Sequence, residues 1–445
     1  MTVAAKKIAV TEQRQNWAES AIKAAAERQA KTLPQAALKL AQDARAVWAK
    51  VLFPTPRQED WKYTSAEAIA LGSFSLAPAT AAALPKDVLS RIEIPGLNAH
   101  RVVFVDGAFS EELSSLPNEK GVVCARLQSR EEAPFGALGS HSSEAFAALA
   151  TALMSDGISV TVSPNASVSA PLHIVNVATQ AGEQSVVAPR LLIDASEGAR
   201  ITVVESHVSI GAAKYLSLPV TEIRAAQNAA VDHYRLQDES LDAFHVSQTD
   251  IEQERDSQVR SHVFSFGGRL VRNNVSVRLV GSNCNAVVNG LSLLAGGQHV
   301  DNSTSIHHVE PSSESREHFK GVYADASRGV FSGTITVDQI AQKTNAFQSN
   351  QALLLSPNAS IETRPQLKIW ADDVKCTHGA TVGQLDSDAM FYLRSRGIDR
   401  GTARNFLVHA FASEVLTSVQ VEALRQHVEG FVTRKLDGVQ VQERE

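Results

Sequence analysis

Small polar turns return through the middle of the chain at a nearly constant interval. Asn165-Ala166, Gly198-Ala199, Asn228-Ala229, Gln258-Val259 and Asn285-Ala286 follow one another at 33, 30, 30 and 27 residues. Between them lie short alternating runs such as Ile158-Ser-Val-Thr-Val, Arg200-Ile-Thr-Val-Val-Glu and Val275-Ser-Val-Arg-Leu-Val, the period-2 pattern of a strand with one buried face. The pentapeptide Ser-Pro-Asn-Ala-Ser stands at Ser163 and again at Ser356. Recurrence in this range marks a stacked repeat, in which no single unit is stable and each buries its inner face against its neighbours. The unit here is strand and turn without helix, so the spacing predicts a right-handed parallel β-helix from about Ile158 to Val374. Such a stack has open ends that must be capped or used for association. A β-sandwich fits less well because tight hairpin signals are scarce, with only Asn289-Gly290 in this region.

The flanks read as helical. Before Gly72, the first glycine, the residues are rich in Ala, Gln, Glu, Lys and Arg. One helix is predicted from about Glu12 to Lys31, with Trp17, Ala21 and Ala24 or Ala25 on one face, and a second from Pro34 to about Val51. Pro54 and Pro56 break the pattern, and Trp61 and Tyr63 read as packing anchors. A short helix near Asp87, a strand over Val102 to Val105 turning at Asp106-Gly107, and an apolar helix over Ser143 to Met154 follow. Beyond residue 376, Asp386 or Ser387 and then Asp399 are good N-caps. The second of these helices carries Ala403, Phe406, Leu407, Ala410, Phe411 and Val415 at one-stripe spacing. A third helix is predicted from about Ser418 to Leu436, carrying Val421, Leu424, Val428 and Phe431, before a frayed end at Gln442 to Glu445. The architecture expected is mainly β: a helical and mixed region over 1–157, the β-helix over 158–375, and helices over 376–445.

Composition narrows the function. A net charge of -6 over 445 residues, without a basic stripe, gives no footprint for nucleic acid. No stretch approaches 18 uninterrupted apolar residues, and Lys6 and Lys7 precede no apolar signal region, so neither membrane spanning nor secretion is expected. Three cysteines, Cys124, Cys284 and Cys376, are scattered singly, which fits a reducing cytoplasmic setting and offers no CxxC metal site. There is no GxxxxGK[ST] phosphate loop, GxSxG, HExxH or Rossmann fingerprint. Gly267-Gly268 and Gly296-Gly297 read as coil turns.

Two groups of residues carry possible chemistry. His307, His308, Glu310, Glu314 and His318 have the ligand types of a zinc or iron site. Adjacent residues of a strand point to opposite faces, however, so surface or packing roles are favoured. Cys376 and His378 are two apart and share one face of an extended segment, at the join between β-helix and helices. From the residues alone they read as a packed thiol and an imidazole near a turn.

Further phrases surround that pair: Lys-Cys-Thr-His-Gly-Ala-Thr-Val-Gly-Gln-Leu from Lys375, Met-Phe-Tyr-Leu-Arg-Ser-Arg-Gly-Ile from Met390, the run Phe319 to Val330, Gln342 to Asn345, Gln351 to Ser356, and Arg364 to Trp370. Over about Gly290 to Leu416 the chain resembles the SufB/SufD family, on its SufD side: subunits of the SUF iron-sulfur cluster assembly scaffold. Toward the N-terminus only Arg57 to Thr64 and Phe146 to Gly157 match. The resemblance implies a non-catalytic scaffold that pairs with a SufB-like paralogue and docks a SufC-type ABC ATPase through its C-terminal helices. Phe391, Phe406, Leu407, Phe411 and Val415 lie in that candidate docking region. It also implies that His378, with Cys376 as the weaker candidate, faces the paralogue where a transient iron-sulfur cluster is built, with no cofactor stably held. A neutral imidazole is a suitable ligand for iron. The competing reading is a carbohydrate-binding or carbohydrate-active β-helix. It lacks repeated carboxylates on one strand face, and aromatic residues make up only 6% of the chain.

Overall fold

The computed structural model describes residues 16–437 apart from 85–87, 89–91, 130–143, 180–181 and 183. The expected short helix near Asp87 and the C-terminal residues from Gln442 lie outside the described residues. The repeating middle winds into a parallel β-helix of about seven turns. Each turn gives one strand to each of two sheets. The first carries Phe244–Gln253, Leu270–Leu279, His299–His308, Arg328–Val337 and Ser360–Ile369. The second carries Gln258–Ser265, Asn285–Leu294, Glu314–Tyr323, Asn345–Leu354 and Lys375–Gly383.

What sets the period is one corner. Asn165, Gly198, Asn228, Asp256, Asn283, Ser312 and Lys343 all have positive φ, at spacings of 33, 30, 28, 27, 29 and 31 residues. All but Lys343 are glycine or short polar residues, the types that enter the left-handed region at least cost. The corner is also hydrogen-bonded from coil to coil. Asn165 N–H donates to the Glu197 carbonyl (2.8 Å), Gly198 to Gln227 (2.9 Å), Asn228 to Arg255 (2.9 Å) and Asp256 to Ser282 (3.0 Å). Two of the sequence-predicted turns were therefore placed two residues late: Gln258 and Asn285 already begin strands. The two Ser-Pro-Asn-Ala-Ser copies occupy opposite kinds of corner, one leading from the first sheet to the second and the other leading back.

Inside, the turns bury Ile193, Val203, Ile223, Val231, Ile251, Val259, Val277, Ile306 and Ile335 in one continuous core. At about 25 cal/mol per Å² of apolar area, such a ladder of stacked aliphatics is the main source of stability. The β-helix reaches further both ways than the expected limits. His100–Val105, which turns at Asp106-Gly107 into antiparallel Ala108–Ser115, pairs parallel with Leu172–Ala178. Val122–Arg126 runs antiparallel to Gly157–Val162 in the other sheet. Both sheets thus start on an antiparallel strand, which ends the parallel ladder. At the far end Lys375–Gly383 continues the second sheet past residue 375.

Helices cover the two outer faces. Helix α1 (Asn16–Thr32), α2 (Gln35–Val51), the single turn α3 (Glu67–Ala70) and α4 (Ala145–Leu153) lie on the first sheet. There Trp17, Trp48, Phe74 and Phe146 pack with Leu218, Val220, Phe244 and Val246. Trp61 is the packing anchor expected of it: it lies 5.1 Å from Phe146 and under the Arg272 guanidinium at 4.2 Å. The segment around it is strapped to several coils at once. Arg272 donates to the Asp60 carbonyl (2.9 Å), Arg364 to the Glu59 carbonyl (3.1 Å), and Thr64 Oγ1 bonds His299 Nε2 (3.0 Å).

Helix α5 (Ser387–Ser395), α6 (Arg400–Leu416) and α7 (Glu422–Asp437) follow the β-helix. Asp386 caps α5 by accepting from the Asp388 and Ala389 N–H groups, and Asp399 caps α6 by accepting from Thr402. The predicted stripe on α6 is not one face. Val408, Ala412, Val415 and Leu416 turn inward onto Tyr234, Phe264, Leu291 and Val322 of the second sheet and onto Phe266 just beyond it, whereas Phe406 and Ala410 are exposed. Among the described residues, no helix is long and apolar enough to cross a membrane.

Candidate functional site

Cys376 and His378 belong to the last strand, Lys375–Gly383, rather than to a junction outside the coils. Their parallel partners are Ala346 and Gln348, both buried inside the β-helix. The pair therefore points to the lumen side of the coil, as the two-residue spacing requires. Among the described residues no further coil covers it, because Ser360–Ile369 and Lys375–Gly383 are the last strands of their sheets. His378 is exposed, and Cys376 is half-buried against the lumen core. Burial pushes the Cys376 thiol pKa up, the reverse of what a reactive thiolate needs. A Cβ added at Gly379 or Gly383, on the opposite face of the same strand, would meet nothing within 4 Å, so the outer side of this strand is uncovered too.

Beneath His378 the lumen is polar. Gln348 sits one rung in and donates from Nε2 to Glu317 Oε2 at 2.6 Å, one rung further. Glu317 is wholly buried, and burial lifts its carboxyl to about 7. The sign of the pH dependence follows. The folded state prefers the neutral acid, so this stability is complete below about 4.5, the ordinary value, and is lost as pH rises through about 7. Glu317→Gln should therefore flatten the pH dependence of stability. The variant should gain roughly 3 kcal/mol over the wild type between pH 5 and 8, read by urea unfolding at each pH. Parallel curves for the two proteins would refute the assignment.

The remaining sequence candidates do not converge. His308 is buried and bonds Ser315 Oγ (2.9 Å), while His307 on the opposite face meets Asp338 (3.0 Å). Glu310 and Glu314 are partly exposed and His318 is half-buried. Their packing roles stand as expected. Of the candidate docking residues, Phe391 is 74% exposed and Phe406 55% exposed, whereas Leu407 and Phe411 are half-buried. Phe411 lies under the Lys320 ammonium at 4.1 Å, and Val415 is 1% exposed within the packed face. Those last two are thus committed to the β-helix, and the reachable apolar surface is Phe391, Tyr392 and Phe406.

The sequence has known relatives. The profile described as SUF system FeS cluster assembly, SufBD core domain, matches residues 177–411, and that of the SufBD protein N-terminal region matches residues 22–174. The chain belongs to the SufBD family. It is 33% identical over 388 residues to the iron-sulfur cluster assembly protein SufD of Escherichia coli, an overlap covering 86% of this chain and 90% of that protein. A SufBD family protein of Synechocystis is 32% identical over 407 residues, covering 86% and 88%. The chloroplastic protein ABCI7 of Arabidopsis thaliana is 36% identical over 250 residues, covering 55% of this chain and 53% of its own length.

Sequence reasoning missed a second polar group, deep in the lumen of this SufBD-family chain. One ligand atom each from His207, Glu239 and His245, all buried, lie within 4.8 Å of one another. A signal for it exists: Glu205 and His207 occupy alternate positions continuing Ile201 and Val203, so polar residues replace aliphatics on the inward face of one strand.

Proposed function

We propose that this chain is a non-catalytic scaffold subunit of SUF iron-sulfur cluster assembly. It pairs its open β-helix end with a SufB-like paralogue and docks a SufC-type ATPase on its C-terminal helices. The observation that carries this reading is the position of His378. An exposed imidazole, on the lumen face of the terminal strand, lies at an end where two sheets offer unpaired edges. One neutral imidazole cannot hold a cluster alone. A second chain adding strands there would supply the other ligands and enclose the site. Trp370 and Val382, both exposed near this end, supply apolar surface for that contact. The cluster is cargo in this reading, held at the interface during assembly and not resident in this chain.

Docking of the ATPase falls to Phe391 and Tyr392 on α5 and to Phe406 on α6. Helix α5 buries none of its own residues, which leaves its apolar side chains free for a partner.

Backbone geometry supplies a test of the pairing. Lys375 N–H donates back to the Thr344 carbonyl (2.8 Å). By the alternation of a parallel ladder, the N–H groups of Cys376, His378, Ala380 and Val382 then face the open edge. Ala380→Pro removes one edge donor without touching the inner ladder. It should leave the melting temperature within a few degrees and weaken association with a SufB-like paralogue at least about tenfold, measured by light scattering of mixed chains. Full association by the variant would remove edge pairing as the mode, and a mass showing only copies of this chain would replace the paralogue by self-association.

A further inference from the structure

Glu239 is a buried carboxylate without the partner that its neighbours have. Glu205 is held by Arg235 Nε (2.7 Å), and Glu222 and Asp301 are paired with the guanidinium groups of Arg190 and Arg272. Among the described residues no Lys or Arg lies within ion-pair distance of Glu239. Its Oε2 meets His245 Nδ1 at 2.7 Å, and the His207 ring stands edge-on to His245 with centroids 4.9 Å apart. A carboxyl group buried this deep beside two imidazoles, with no Lys or Arg to pair it, presents the donor set of a cation site.

The imidazoles are themselves under-used. His207 Nδ1 and His245 Nε2 have no hydrogen-bond partner among the described residues, although His207 is 1% and His245 0% exposed. Unpaired ring nitrogens that deep are costly unless something occupies them. The carboxylate, in contrast, is fixed from outside as metal-binding carboxylates are. Tyr215 donates its hydroxyl to Glu239 Oε1 (2.8 Å), and Gln237 Nε2 donates to Oε2 (3.0 Å).

We infer that His207, Glu239 and His245 form a binding site for a divalent first-row transition ion inside the β-helix. Two imidazole nitrogens and one carboxylate suit iron(II) or zinc and do not suit magnesium or calcium, which prefer all-oxygen sets. With ligand bonds of about 2.1 Å, cis ligand atoms stand roughly 3.0–3.4 Å apart, so the group closes by small side-chain rotations. The Glu239 corner opens outward, since Leu241 and Asp242 beside it are exposed and give the ion a short way in. The site is not the His378 site. His207 and His378 lie six strand steps apart in the same sheet, about 29 Å at the usual strand spacing. Its role is to tie three coils together around one ion, as structural metals do.

The test uses the metal-free full-length chain, with iron(II) added anaerobically and cobalt(II) as the spectroscopic probe, and elemental analysis after desalting. The wild type should retain one equivalent, show the ligand-field bands of imidazole-bound cobalt, and melt at a higher temperature when loaded. Glu239→Gln and His245→Gln should lose at least about 100-fold in affinity, and Tyr215→Phe about tenfold, because it only positions the carboxylate. Each variant's circular dichroism spectrum and melting temperature in the metal-free state establish that it is folded. His378→Ala should bind as the wild type does. A wild-type chain that retains no metal would overturn the inference and leave Glu239 and His245 as a buried ion pair. Retention unchanged by Glu239→Gln and His245→Gln, or abolished by His378→Ala, would overturn it equally.

Discussion

Cutting the chain after Asp386 is expected to abolish cooperative folding or to leave an aggregating product. The helices from Asp386 to Leu436, which the resemblance makes the ATPase dock, carry more apolar positions than three helices can bury among themselves. In the structure most of that surplus is already spent on the second sheet. Val204, Tyr234, Leu236, Phe264, Phe266, Leu291, Leu293 and Val322 lie buried with the helices in one cluster. Phe266 stacks on Phe431 at 5.3 Å, and the Gln420 N–H donates to the Tyr234 hydroxyl (3.0 Å). At roughly 1.5–3 kcal/mol for each large side chain returned to water, the loss is on the order of ten kcal/mol. That is comparable to the whole stability of a typical domain. Size-exclusion chromatography and thermal melts of residues 1–386 against the full chain test this. A monodisperse truncation melting within a few degrees of the parent would show that the helices are an appendage after all. Point substitutions at Phe391 and Phe406 are therefore the proper probes of ATPase docking, since neither side chain is buried.

The same region shows where sequence pattern is informative and where it fails. The corner period was legible because left-handed backbone selects a few residue types, and Asn165, Gly198 and Asn228 announce it. Asp256 and Asn283 are harder to pick out because the strands that follow them begin two residues later, on the equally polar Gln258 and Asn285. On α6 the apolar residues occupy two arcs, so Phe406 and Val415 satisfied a single-stripe template although one faces water and the other the sheet. Cys376 and His378 were assigned the same face correctly, because period 2 needs no tertiary information. That this face is the lumen, and uncovered, depends on the coil ending there. The lumen group was out of reach for another reason. His207 and Glu239 are 32 residues apart, and His245 follows six later, so only closure of the coil brings them together.

His378→Ala should leave the isolated chain folded and its pairing with a SufB-like paralogue nearly intact, while cluster formation on the complex falls at least about tenfold. Stability is unaffected because an exposed side chain is removed from the end strand, where few contacts exist to lose. Cluster formation is expected to fall because, in the proposed role, the exposed imidazole is the nitrogen ligand on the open face and the thiol beside it is less accessible. Cys376 is half-buried with its pKa raised, its side chain engaged with the lumen core. Cys376→Ala is therefore the control: a modest fall in melting temperature, about 1–2 kcal/mol in stability, and cluster yield close to the wild type. His378→Cys separates ligation from proton handling, since a thiolate can bind iron but does not titrate as an imidazole does. Absorbance of reconstituted cluster per complex, with complex mass measured in parallel, reads both effects. Wild-type cluster yield from the His378→Ala complex would remove His378 from the site. Loss of the complex itself would instead reassign it to the edge contact.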